Sequence, residues 1–302
     1  MISGVDDAAV ERIVQSVLDA IGRGEGESPA ELLLLLRRYV STGRPELSEA
    51  LGTALARALD RCTSPDRRED LSSEWLGVFV EAAAISQDER LPAAAESMVA
   101  SMRRSWPARG ELRASFRAVE SCLAAAHLGN EDDVATSAID ELERIVGRSY
   151  EPGDGLTGQG LLVHSAAASA LLTAFAVAGR LPYAMLADEL IQFSRRTWWN
   201  DTVGGFDANA EPSIQNPEPR TQNAEGFLAN CEMARVLCRM ALLHADSSYR
   251  DIAVLAPRAN YTEDARRTLA RLAPPVDPTG DSALYALALD EYLKIESFPH
   301  AS

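Results

Sequence analysis

Trp198-Trp199-Asn200-Asp201-Thr202-Val203-Gly204-Gly205-Phe206-Asp207 leads into a polar, proline-containing loop and then into a long apolar helix from Asn223 to about His244. The stretch ends one helix on two tryptophans, turns on acidic and amide side chains, and passes through two glycines to an aromatic ring. Paired glycines permit backbone conformations or close approaches that other residues resist. The irregular segment from Asn200 to Thr221 therefore reads as a connection between two helices of one packed unit.

The same helical pattern runs from end to end. Apolar residues at 3.6-residue spacing, bounded by stop signals, predict about twelve helices and almost no strand-like alternation. The predicted spans are 5-22, 29-42, 45-63, 66-86, 89-106, 110-128, 131-148, 159-179, 182-199, 223-244, 247-271 with a break near Pro257, and 280-295. Ser28-Pro29-Ala30-Glu31 is a capping box with proline at the first helical position. Small-residue helix ends followed by tight turns recur at Gly43, Gln87, Gly129, Gly179 and Ala245, so the chain is built from repeated helical hairpins. An open solenoid of the HEAT type has a similar period. Twelve helices make six hairpins, however, the number that closes an α/α barrel. The expectation is an all-α fold, an (α/α)6 toroid, forming one domain over 1-302, since no linker divides the chain.

Composition narrows the partners. With 45 acidic against 29 basic residues the formal charge is -16, which repels phosphate backbones and anionic lipid. No nucleic-acid or membrane partner is expected. Cys62, Cys122, Cys231 and Cys238 lie on apolar helical stretches without CxxC or Cys/His spacing and read as core thiols, with no metal and no cofactor implied. The acidic start lacks a basic n-region and an apolar h-region, and the run Leu32 to Leu36 is far too short for a span. A cytoplasmic location follows as the expectation.

Odd-numbered helices carry broad charged faces and should form an outer ring, whereas even-numbered helices are apolar around most of their circumference and should form an inner one. The long connections then gather at one mouth, around the N-termini of the inner helices, where helix dipoles favour anionic or polyhydroxylated ligands. Polar stripes on inner helices should face the lumen. The fourth helix offers Asp70, Glu74 and Glu81; the eighth offers Ser165, Ser169 and Thr173, with His164 beside them and Gln159 at its start. The tenth offers Glu225, Glu232, Arg235 and Arg239, and the twelfth begins with Asp281 and Tyr285.

Paired carboxylates with an imidazole are the equipment of general acid/base chemistry on a sugar. Asp207, Asp201, His164 and Glu74 are accordingly the candidate catalytic residues. Phe206 and Arg220 of the long loop, Tyr150 and Asp154 of the glycine-rich loop 150-160, and Asp70, Gln159, Asn223, Glu225 and Tyr285 are the candidate ligand contacts. Each has a structural counterpart reading: stripes as salt-bridged struts, Asp201 as a turn cap, Phe206 as a plug, and His164 as a satisfied packing residue.

Trp198 to Phe206, with Gln222-Asn223-Ala224 through Leu237, resembles the C-terminal helical part of the YyaL / spermatogenesis-associated-20 group. More loosely, it is similar to N-acylglucosamine 2-epimerases and six-hairpin glycosidases. The resemblance covers roughly Leu181 to Leu272 and implies the toroid more strongly than any activity. The chain departs from these families in lacking a CxxC or strand-rich segment before the helices, and in offering His164 alone where epimerases resemble one another in paired histidines. The functional expectation is a carbohydrate-active or sugar-binding toroid with acid/base chemistry in the lumen. Its alternative is a non-catalytic helical scaffold that binds a protein partner through an apolar patch at Trp106, Trp198 or Trp199.

Overall fold

The computed structural model describes residues 7-25, 27-63, 73-106, 111-128, 131-207, 224-253, 256, 258-272 and 280-297. Among these residues there are thirteen α-helices. They are α1 (Asp7–Gly22), α2 (Pro29–Thr42), α3 (Pro45–Thr63), α4 (Ser73–Ala83), α5 (Arg90–Ser105), α6 (Leu112–Ala125), α7 (Glu131–Ser149), α8 (Leu161–Ala178), α9 (Leu181–Trp198), α10 (Ala224–Ala245), α11 (Ser247–Ala253), α12 (Tyr261–Arg271) and α13 (Gly280–Ser297). An antiparallel hairpin of two-residue strands, β1 (Tyr150–Glu151) and β2 (Gly155–Leu156), joins α7 to α8.

The break expected near Pro257 in the predicted eleventh helix is present: α11 ends at Ala253, and Asn260 starts α12 by accepting the Glu263 N–H on its side chain at 3.0 Å. Asparagine competes for backbone donors and so favours caps over helix interiors. Of the predicted fourth helix, 66-86, residues 66-72 lie outside the described residues; the rest is α4, which ends at Ala83, short of 86, in a turn where Ser86 N–H donates to Ala82 O.

The described chain divides into two compact units. The second comprises Glu11–Ile145 and Pro275–Leu284. In it α2 packs on α3 and α4, and α4 packs on α5 and α6. The capping box of α2 is formed: Ser28 N–H donates to Glu31 Oε2 at 2.7 Å while Glu31 N–H donates to Ser28 Oγ at 3.3 Å. Leu32, Leu34, Leu35 and Leu36 are then buried together with Leu76, Phe79 and Phe116. Burying each such side chain stabilises the fold by about 1.5–3 kcal/mol.

The first unit comprises Met1–Val10, Val146–Pro274 and Tyr285–Ser302. Here α8 packs on α9 and α10, and α10 packs on α11 and α12. In α8 every residue from His164 to Leu172 is buried, as is Tyr285 to Asp290 in α13. Runs of consecutive burial mean helices covered on nearly all sides, as the low amphipathicity of the predicted eighth and twelfth helices, here α8 and α13, implies. Five buried alanines on α8 remove side-chain bulk between neighbouring helices, so their backbones approach closely. By length and mean hydropathy of 1.9, α8 alone among the described helices qualifies as a membrane span, yet 61% of it is buried against its neighbours. Its apolar composition is that of a core helix.

Candidate functional site

The 198-207 stretch forms a tight, fully wired turn at the end of α9. Trp199 and Phe206 pair as an antiparallel bridge, with Asn200 N–H donating to Gly205 O at 2.9 Å and Asp207 N–H to Trp198 O at 2.8 Å. Gly204 and Gly205 take φ of 72° and 90°, the left-handed region that side chains resist. Buried Asn230 on α10 then reads the turn like a complementary strand: its Oδ1 accepts Phe206 N–H at 2.9 Å and its Nδ2 donates to Phe206 O at 2.9 Å. Phe206 is thereby fixed as a buried plug. Asp207 accepts from Arg271 of α12 at 2.5 Å and from Asn200 Nδ2 at 2.8 Å, and Asp201 takes the Trp199 indole N–H at 2.8 Å. Arg267 covers the Trp199 ring, its guanidinium carbon 5.1 Å from the centroid.

The hairpin before α8 is equally well held. Gly155 stands at φ 65°, and a Cβ there would lie 2.7 Å from His164 Nε2 and 2.8 Å from the Phe193 ring. The glycine lets the backbone settle onto the imidazole. His164 Nε2 accepts Leu156 N–H at 3.0 Å, so Nδ1 carries the proton and donates to Gly160 O at 2.9 Å. The ring stacks on Phe193 and meets Trp198 edge-on, both at 5.1 Å between centroids. Burial holds its pKa below the ordinary imidazole value, against the opposing bond to Gly160. With both nitrogens committed to backbone and no exposed surface, His164 is a hinge pin between hairpin and helix.

A third arrangement joins stripes that the sequence placed on separate helices. Along α10, Glu232, Arg235 and Arg239 follow one face. Glu232 accepts from Ser165 Oγ of α8 at 3.2 Å, and Arg239 donates to Ser169 Oγ and Thr173 Oγ1 of α8, both at 2.9 Å. Arg235 grips Glu291 of α13 through Nε at 3.0 Å and Nη2 at 2.9 Å. The result is a polar line across α8, α10 and α13. It contains two carboxylates, Glu232 bonded to the Ser165 hydroxyl and Glu291 to the Arg235 guanidinium.

The remaining candidates are scattered. Asp70, Arg220 and Asn223 lie outside the described residues. Glu74 is exposed at the start of α4, in the second unit, and Glu81 is a strut to Arg37 of α2 at 2.8 Å. Tyr150 is hydrogen-bonded to Glu189, and this contact adds to desolvation in raising its pKa. Asp154 is exposed at the hairpin tip, while Gln159 N–H closes a turn on Leu156 O at 3.1 Å. Glu225 is exposed at the first turn of α10, and Tyr285 is buried against Phe227 with ring centroids 6.4 Å apart. Trp106 and Trp198 are buried and Trp199 lies under Arg267, so these tryptophans make no exposed apolar patch. Sequence reasoning passed over Asn230 and Glu291. A lone Asn on an otherwise apolar face of α10 was a signal for the first; for the second there was none, since its partner lies on another helix.

No family model matches the sequence, and no curated protein matches it. Solved structures do. The unsaturated glucuronyl hydrolase from Bacillus sp. GL1 matches with a TM-score of 0.67 at 12% identity, over 95% of this chain and 97% of that one. A D-mannose isomerase matches with a TM-score of 0.64 at 11% identity, over 88% and 85% of the two chains. The GH76A alpha-1,6-mannanase from Salegentibacter sp. HEL1_6 matches with a TM-score of 0.63 at 11% identity, over 95% and 99%. The chain has the fold of these proteins, all-α and of the (α/α)6 toroid class.

Proposed function

We propose that this chain is a carbohydrate-active or sugar-binding toroid protein whose site is the polar line of α8, α10 and α13. The observation that carries the reading is the pair Glu232 and Glu291, held on facing helices beside Arg235. Acid/base work on a sugar needs two carboxyl groups, and the line supplies Glu232, bonded to the Ser165 hydroxyl, and Glu291, bonded to the Arg235 guanidinium. Ser165, Ser169, Thr173 and Arg239 add donors and acceptors suited to hydroxyl groups. The fold likeness supports the same reading, since the three comparison proteins are an isomerase of mannose, a mannanase and a glucuronyl hydrolase. Within the toroids, the motif from Trp198 through Leu237 favours the YyaL-like group. In this reading Asp201, Asp207, Phe206 and His164 shape the surroundings of the site, and the line carries the chemistry.

The test is thermal shift against a panel of neutral and acidic mono- and disaccharides. At least one sugar is expected to raise the melting temperature of the wild type, and Glu232→Gln is expected to remove that rise while leaving the ligand-free melting temperature nearly unchanged. A panel in which no sugar shifts the wild type, or a Glu232→Gln protein that responds as the wild type does, would overturn the assignment.

A further inference from the structure

We infer that the hairpin of β1 and β2 is an acid-released flap, latched to the first turn of α8 by the imidazole of His164. The hairpin packs on α8 and α9 through β2, whose residues Gly155 and Leu156 are both buried. Leu156 N–H donates to His164 Nε2 at 3.0 Å, and His164 Nδ1–H donates to Gly160 O at 2.9 Å. The first bond joins hairpin to helix, whereas the second lies within the entry to the helix itself. The latch is thus the bond at Nε2, and it needs that nitrogen unprotonated. Tyr150 of β1 adds a tie to Glu189 of α9. Burial raises the Tyr150 phenol, so it keeps its proton wherever an imidazole titrates.

Among the described residues the charged groups around the ring are turned elsewhere. Glu151 and Asp154 of the hairpin are exposed, and Glu232 of α10 meets Ser165. On α9, Asp188 accepts from Tyr261, Glu189 holds Tyr150, Arg195 engages Asp264 at 3.1 Å, and Arg196 is exposed. Burial is what lowers the pKa of His164, opposed by the bond to Gly160. The space is also closed, since a Cβ on Gly155 would lie 2.7 Å from Nε2 and Phe193 stacks on the other side of the contact.

A proton arriving at Nε2 turns an acceptor into a donor that faces the Leu156 N–H. The ring takes that proton readily only when the hairpin has lifted, so the open form titrates in the ordinary imidazole range and the closed form below it. The flap is therefore closed above that range, and it opens as pH falls through it. Lifting the hairpin bares the first turn of α8. The residue after His164 is Ser165, whose hydroxyl donates to Glu232 at 3.2 Å, so the flap lies at one end of the polar line. Its opening does not depend on whether that line takes a sugar.

Hydrogen exchange of the full chain, corrected for intrinsic rates, tests the latch at about pH 7 and about pH 5, on either side of the imidazole value. In the wild type the Leu156 amide is expected to be less protected than the buried middle of α8 at both values, the mark of a local opening. Its protection should fall on the order of tenfold at the lower pH. His164→Gln, which offers an acceptor near the Nε2 position but does not titrate, is expected to lose that step. Equal Leu156 protection at the two pH values overturns the flap. So does protection equal to that of α8, because the hairpin would then open only with the whole unit. Both outcomes are read from the wild type and need no variant to fold. A step of the same size in His164→Gln would take the imidazole out of the opening and overturn the latch as well.

Discussion

At Gly205 the backbone stands at φ 90°, and a Cβ would lie 3.2 Å from both Asn230 Oδ1 and Arg271 Cδ. Gly205→Val is therefore expected to cost about 1–3 kcal/mol, read as a lowered urea midpoint. Asn230→Leu should cost at least as much, about 3 kcal/mol, because it strands the buried N–H and C=O of Phe206 without partners. His164 gives a pH signature instead. Its folded-state pKa is depressed by burial, so its contribution is complete above the ordinary imidazole range. As pH falls from about 6.5 the unfolded chain takes up the proton first, and the contribution is lost. The stability advantage of wild type over His164→Phe should accordingly shrink between pH 7.5 and pH 5 in urea titrations. An advantage that stays constant would remove the imidazole from the argument. The need for glycine at 204 and 205 was legible in the sequence, because only a turn or a close approach explains two in succession. That Asn230 is the group approached was not, since the contact spans the long loop.

Helices were the most legible elements, because burial imposes a 3.6-residue period that no other structure shares. The hairpin of β1 and β2 was invisible for the complementary reason: strands of two residues have no alternation to read. Polar stripes on the eighth and tenth helices were also legible, whereas their mutual pairing, and the entry of Glu291 from α13, depend on which helices become neighbours. A helix cap offers a test at this scale. Ser28→Ala should destabilise the second unit by about 1 kcal/mol, since Glu31 N–H loses its acceptor at the start of α2. The thermal midpoint would report it. Ser28→Asp, which restores an acceptor, should recover most of the loss.

Across the whole molecule the excess of acidic residues, 45 against 29, makes self-repulsion a general term in the stability. Adding salt to about 0.5 M should raise the melting temperature by screening it, and a fall instead would mean that the ion pairs dominate. Fold class was readable from repetition, and identities of 11–12% to proteins of the same architecture show why. What is shared is a pattern of buried faces, satisfied by many different sequences. The chemistry is not shared in that way, and so it had to be located from contacts. The bond between Phe206 and Asn230 has one further consequence. It pins the two sides of the 208-223 segment to each other, just before the segment begins and within two turns of where α10 starts. Both residues lie outside that segment, so the bond belongs to the frame of α9 and α10 and keeps both of its partners when residues of 208-223 are exchanged.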